Sequence, residues 1–177
     1  MNASSTRPPA VLPATWMALR VLVVLNWLCG ALILALLAMS LLAAEWTWRA
    51  LGVGAAAGHE ALVAGMRAIM AIGIIAVPVA HVVLSRLLQI VESVRAGEPF
   101  TLPNAARLKT IAWALFGLEL LHVGVVAIAS AVSTREAPLR IDGNLHVTGW
   151  LAILLLFVLA QVFLQGARMR EELEGTV

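Results

Sequence analysis

Two ionisable residues, Glu119 and His122, lie three positions apart inside an apolar run from Ile111 to Val132. The run is long enough to cross a bilayer, which takes roughly 20 residues of helix. A charged side chain at that depth is costly, so it generally faces other helices and has a partner. At this spacing the two side chains share a helix face, where they would act as a proton relay or an ion pair. This chemistry is typical of a small transport or proton-coupled membrane component.

Other polar side chains also interrupt the apolar runs, and all of them can instead hydrogen-bond between helices and fix the packing. The candidates for an intramembrane polar site are Glu119, His122, His81, Asn26 and Gln161. A haem held by His81 and His122 is disfavoured, because antiparallel helices with a rise of about 1.5 Å per residue put them about 10 Å apart in depth. The single cysteine, Cys29, excludes an intrachain disulfide and a Cys-rich metal site. We therefore predict no metal and no cofactor.

Composition separates this chain from soluble enzymes. Of its 177 residues 62% are hydrophobic and 12% are charged, whereas soluble domains have about 45–50% and about 25%. The net charge of +2 does not support a nucleic-acid surface. No nucleophile elbow, His-Glu-x-x-His motif or Walker loop is present. We predict a membrane protein that is not an enzyme and does not bind nucleic acid directly.

The apolar runs predict one all-α membrane domain, a four-transmembrane-helix bundle. Residues 1–15, rich in proline, are expected to be a flexible cytoplasmic tail. The predicted segments are helical spans at about 18–44, 66–94, 104–132 and 149–173, outer loops at 45–65 and 133–148, and a cytoplasmic turn at 95–103.

Positive charge predicts the orientation, since cytoplasmic loops carry an excess of lysine and arginine. With the N-terminus inside, eight of the 12 lysines and arginines lie on the cytoplasmic side and four lie outside. Tryptophans near the ends of the runs agree with interfacial belts. We predict that both termini are cytoplasmic and that the protein is a multi-pass protein of a bacterial cytoplasmic membrane.

The second outer loop has a hairpin pattern. Apolar residues alternate between Pro138 and Val147, around Asp142-Gly143 or Gly143-Asn144. These dipeptides accept positive φ angles, which two-residue hairpin turns require. A lone hairpin is marginal in water, so we expect this small β-hairpin to pack on the helix ends.

The cytoplasmic turn carries clear stop and start signals. Gly97 can end the preceding helix in a left-handed conformation, and Pro99 prevents its continuation. Either Thr101 or Asn104 can cap the next helix, and Phe100 is expected to pack back onto the bundle. The pattern fits a tight structural turn, or else a docking site for a cytoplasmic partner. The candidate interaction face comprises Arg95, Gly97, Pro99, Phe100, Asn104, Arg107, Lys109, Arg168 and Arg170.

Two segments resemble a bacterial membrane family filed as domain of unknown function 2975. One is the Ser-Val-Arg-x-Gly-x-Pro-Phe-x-x-x-Asn-Ala core between Ile90 and Leu108, and the other is the ending from Leu159 to Val177. The resemblance implies four spans, a bacterial cytoplasmic membrane and frequent encoding beside a small helix-turn-helix regulator. It implies no activity and no catalytic residue.

The leading hypothesis is a non-enzymatic integral membrane protein with a regulatory or partner-binding role. Its partners would be the lipid bilayer and a cytoplasmic protein, such as a helix-turn-helix regulator, or a second copy of the chain. The alternative is the transport or proton-coupled component that uses Glu119 and His122. A bacteriocin-immunity role is a third hypothesis, based on fold-level analogy alone.

Overall fold

The structure, a computed structural model, describes residues 11–43, 59–133 and 147–174. These ranges contain four helices and no strand. The helices are α1 Val11–Leu42, α2 His59–Arg95, α3 Leu102–Val132 and α4 Val147–Glu174. Each contains a stretch long and apolar enough to cross a membrane. The prediction of an all-helical chain with four long apolar helices is therefore confirmed for the described residues.

Two helix starts differ from the prediction by seven residues, and the other limits agree with it to within two. Helix α1 begins at Val11, so residues 11–15 are helical and not part of a flexible tail. Pro13 is compatible with this start, because amide groups in the first turn of a helix have no intrahelical acceptor. Helix α2 begins at His59, so residues 59–65, which the sequence assigns to the first outer loop, belong to the helix.

Most of the second outer loop, with the predicted β-hairpin, lies outside the described residues. Val147, the last residue of that hairpin pattern, is the first residue of α4. The orientation with both termini in the cytoplasm stays a prediction.

The helices pack in chain order. Among the described residues, α1 packs on α2, α2 on α3 and α3 on α4, and no other pair of helix backbones comes into contact. The described helices thus form an open row, in which α1 and α4, the first and last helices of the predicted four-helix bundle, are not in contact. Apolar side chains remain exposed along the row, on α1 most of all, where lipid would cover them.

Small residues allow the close approaches within the row. A Cβ atom added to Gly30 of α1 would lie 2.9 Å from Cγ1 of Val77 in α2. One added to Gly65 of α2 would lie 2.7 Å from Cγ1 of Val132 in α3. Backbones that approach this closely gain van der Waals contact, which is a main source of helix association in membranes.

Helix α4 meets α3 along one narrow seam. Its buried residues Ile153, Ala160 and Ala167 are spaced seven apart, which keeps them on one side of the helix. On α3 the facing residue Ala105 is also buried, at 5% exposure, and lines a groove with Ala160. This seam brings the end of α4 beside the α2–α3 turn.

Candidate functional site

Helix α2 ends in a Schellman motif. Gly97 has a φ of 85°, a conformation that glycine adopts without a steric penalty. Its amide donates to the carbonyl of Val94 at 3.1 Å, and the amide of Glu98 donates to the carbonyl of Ser93 at 3.0 Å. These are the two hydrogen bonds that define the motif. Pro99 then keeps the chain from returning to the helix.

Helix α3 begins at a threonine cap. Thr101 has an extended backbone, and its side chain accepts a hydrogen bond from the Asn104 amide at 3.4 Å. Of the two residues that the sequence proposed for this role, Thr101 is therefore the cap. Pro103 occupies the first turn of the helix, where its missing N–H group would have had no intrahelical acceptor.

The Asn104 side chain joins the parts of the turn and is fully buried, at 0% exposure. Its Nδ2 group donates to the Pro99 carbonyl at 2.9 Å and also to Oγ of Ser93. A longer contact of 3.4 Å reaches the Glu98 carbonyl, which also accepts from Ser93 Oγ at 2.7 Å. Oδ1 of Asn104 accepts from Nη1 of Arg107 at 2.7 Å. One amide thus connects the end of α2, the turn and the first turns of α3.

A second polar contact lies at Gln89, one helical turn before Ser93 in α2. Oε1 of Gln89 accepts hydrogen bonds from Arg107 Nε at 3.1 Å and from Arg86 Nη1 at 3.0 Å. Both arginines are half-buried. The turn is therefore fixed by contacts between α2 and α3 as well as by its own capping bonds.

Phe100 connects the turn to α4. Its ring centroid lies 5.0 Å from that of Phe163, and a Cβ atom added to Gly166 would lie 3.6 Å from its Cδ1. The expectation that Phe100 packs back onto the helices agrees with this contact, although the side chain is still 47% exposed. Beside it is a cleft of about 280 Å³, called the turn cleft below, lined by Glu98, Phe100, Thr101, Leu102, Pro103, Ala167 and Arg170.

Arg95 lies at the same end of the molecule but belongs to another cluster. Its guanidinium carbon is 5.9 Å from the Trp16 ring centroid, and that of Arg20 is 3.9 Å from it. The indole Nε1 of Trp16 donates to Glu92 at 3.2 Å. These contacts include a cation–π interaction and join the start of α1 to the end of α2.

The other predicted face residues are dispersed. Lys109 lines a separate groove between α3 and α4 together with Gln161. Arg170 lines the turn cleft, and Arg168 is exposed on the same part of α4. Asn104 is buried inside the turn, so its contribution to a binding face is to hold the turn and not to touch a partner.

Glu119 lies against the start of α4. A Cβ atom added to Gly149, the third residue of that helix, would lie 3.1 and 3.2 Å from the two carboxylate oxygens. Amide groups in the first turn of a helix have no intrahelical acceptor and form the positive end of its dipole. The structure thus places a half-buried carboxylate, midway along an apolar helix, against the first turn of the next helix.

His122 faces a different neighbour. It lines an apolar groove with residues of α1 and α2, among them Ile33 and Met70. Residues three apart on a helix differ by about 60° around its axis, and here that difference directs Glu119 to α4 and His122 toward α2. The shared face inferred from the sequence therefore does not bring both side chains to the same helix.

Two other polar residues of the spans connect α1 to α2. Nδ2 of Asn26 donates to the Val77 carbonyl at 3.1 Å, next to Pro78, which removes a backbone hydrogen bond from α2. The Trp27 indole donates to Nδ1 of His81 at 3.2 Å. His81 is therefore directed toward α1, and these contacts are of the kind that fixes helix packing in membranes.

Sequence reasoning missed a contact at the opposite end of α1. Arg67 of α2 donates from Nε to Ser40 Oγ at 2.8 Å and from Nη2 to the Ser40 carbonyl. That carbonyl is in the last turn of α1, where acceptors lack intrahelical donors and a positive charge is favourable. Ser40 is fully buried. The only signal for this contact in the sequence was the position of Ser40 near the end of an apolar run.

No group of three or more His, Cys, Asp or Glu side chains suited to a metal ion occurs in the part of the chain that the structure describes. The site is thus made of a hydrogen-bonded turn, a cleft beside it and separate polar contacts between the spans.

Four helices of this length and hydropathy, with apolar surface exposed along them, define a multi-pass membrane protein. The chain belongs to the family described as "Protein of unknown function (DUF2975)", whose model matches residues 13–177. The family resemblance stated from the turn and the C-terminal segment is therefore confirmed. No curated protein and no solved structure matches the chain.

Proposed function

We propose that this protein is a non-enzymatic component of a bacterial cytoplasmic membrane that binds a cytoplasmic protein through the turn cleft. The observation that carries the proposal is the buried Asn104, which holds the α2–α3 turn in one conformation and so presents the cleft preformed. A preformed surface loses little conformational entropy on binding, and this favours affinity.

The chemistry of the cleft suits a protein segment. Two of the residues that line it, Phe100 and Leu102, are 47% and 38% exposed. Glu98 and Arg170 line the same cleft and add charge of both signs. Exposed aromatic side chains and arginine beside apolar groups are typical of protein interfaces. The expected partner is a cytoplasmic protein, and the family resemblance suggests a small helix-turn-helix regulator.

Photocrosslinking in native membranes tests this proposal. A photoreactive residue at Leu102 is expected to crosslink a defined cytoplasmic protein, and the additional substitution Arg170→Glu, which reverses a charge in the cleft, is expected to abolish the product. The same photoreactive residue at Leu120, which is 51% exposed on the apolar part of the same helix, serves as the control and should crosslink only lipid. Identical products from both positions, or none from Leu102, would refute the proposal.

A transport role is the second candidate, and the position of Glu119 favours it. An acidic side chain within a span is a common feature of ion and proton pathways, and here the carboxylate lies at the start of α4. His122 lies in another groove, so the mechanism would rest on Glu119. Flux measured in liposomes with the parent and with Glu119→Gln tests this role. Equal flux in both, or none in the parent, would eliminate it.

A further inference from the structure

Two positively charged side chains meet at one neutral acceptor between α2 and α3. Arg86 and Arg107 both donate to Oε1 of Gln89, at 3.0 and 3.1 Å. Arg107 makes one more hydrogen bond, to Oδ1 of Asn104 at 2.7 Å. Within the described residues no carboxylate forms an ion pair with either arginine. Each guanidinium has five N–H donors, so most of the donors of this pair are available.

This arrangement is unfavourable without an anion. Two like charges near each other repel, and the repulsion is larger in a half-buried position than in water. An amide oxygen carries only a partial charge and offers two lone pairs. A phosphate group offers several acceptor oxygens and a full negative charge, and the planar fork of arginine binds it in a bidentate manner.

The pair is also held in place before any ligand arrives. Gln89 holds both guanidinium groups, and the fully buried Asn104 holds Arg107 from its other side. A basic residue on a free surface has many rotamers to lose when it binds an anion. These two arginines have already lost part of that freedom, which is the condition for a specific site.

The location identifies the source of the phosphate. Arg86 follows the apolar run of α2, and Arg107 precedes the apolar run of α3. Both therefore lie at the edge of the apolar layer, where the phosphates of lipid headgroups are found. We propose that Arg86 and Arg107, aligned by Gln89, bind a phosphate group, and that this phosphate belongs to an anionic phospholipid.

The test uses the full chain purified in a non-ionic detergent. Phosphatidylglycerol is titrated against phosphatidylcholine, and inorganic phosphate against chloride at equal ionic strength, while binding and the thermal unfolding midpoint are measured. The parent is expected to bind phosphatidylglycerol and to be stabilised by it. Arg86→Gln is expected to bind about tenfold more weakly or worse, since one charge-assisted hydrogen bond accounts for at least that factor.

Gln89→Glu provides the second variant, in case Arg86→Gln folds poorly. It places a carboxylate between the two guanidinium groups, so the lipid-free protein should unfold at a higher temperature than the parent and should no longer respond to phosphatidylglycerol. Arg20→Gln changes an exposed arginine at the same end of the molecule and should leave the response intact. The site is refuted if Arg86→Gln and Gln89→Glu both respond as the parent does. Equal protection by inorganic phosphate would overturn the assignment to lipid.

Discussion

Replacing Asn104 by alanine should destabilise the protein more than any other single change in the turn. The substitution removes the donors to Ser93 Oγ and to the Pro99 carbonyl, and the acceptor for Arg107. Each such bond contributes about 1 kcal/mol net, and somewhat more when one group is charged. The side chain is fully buried, so water cannot easily replace these bonds. We expect a loss of about 3 kcal/mol in the free energy of unfolding.

Unfolding by sodium dodecyl sulfate in mixed micelles, followed by tryptophan fluorescence, measures this loss. Asn104→Asp separates the contributions, because it keeps an acceptor for Arg107 but removes the donors and places a carboxylate against the Pro99 carbonyl. It should be at least as unstable as Asn104→Ala. Lys109→Ala, an exposed change on the same helix, is the control and should change the free energy of unfolding by less than about 0.5 kcal/mol.

The reasoning is refuted if Asn104→Ala costs less than about 1 kcal/mol, the value expected for a single hydrogen bond. It is also refuted if Asn104→Asp is as stable as the parent, since the bond to Arg107 would then be the only one that matters. The first result would mean that this side chain does not hold the turn. The second would mean that its hydrogen bonds to Ser93 and to the Pro99 carbonyl do not hold it. In either case Asn104 would not preform the turn cleft through these bonds.

Three further substitutions test other contacts by the same unfolding measurement. Gly97→Ala should lower the free energy of unfolding by about 1–2 kcal/mol through its positive φ alone, because no atom lies within 4 Å of the added Cβ. The control is Gly117→Ala, which is equally free of neighbours but has no positive φ, and it should cost nothing. Gly65→Ala should cost about 1–3 kcal/mol through overpacking, since its Cβ would lie 2.7 Å from a valine methyl of α3, and an unchanged midpoint would contradict the close approach of the helices. Arg67→Gln should lower the free energy of unfolding by about 1–2 kcal/mol, because Ser40 loses its charged donor. Ser40→Ala should cost less, because the backbone carbonyl of residue 40 still accepts from Arg67.

The sequence was sufficient for features that depend on local composition. Apolar runs of about 20 residues predict spans because burial in lipid requires that length. Gly97 and Pro99 predict the end of α2 because both act through their own backbone. The helix limits were less accurate, since α1 and α2 both begin before the apolar run itself.

Features that depend on packing were not accessible from the sequence. Thr101 and Asn104 are both suitable caps by residue type, and only the position of the turn carbonyls shows that Asn104 bonds to them instead. The neighbours of Glu119 and His122 depend on the order of the helices in the row, which periodicity does not encode. From the sequence, Arg67 could be assigned only as a positive charge on the outer side of the membrane. Its hydrogen-bond partner Ser40 is 27 residues away in the sequence.

Labelling of substituted cysteines tests most directly whether the turn and the end of α4 form one cytoplasmic surface. The native cysteine is first removed by Cys29→Ser. A single cysteine is then introduced at Glu98, at Met169 or at Ala43, which lies at the opposite end of α1. A membrane-impermeant maleimide is applied to intact spheroplasts and to inverted vesicles. Positions 98 and 169 should react only in inverted vesicles, and position 43 only in spheroplasts. Reaction of positions 98 and 169 from opposite sides, or of both from the outside, would contradict the proposed cytoplasmic docking surface.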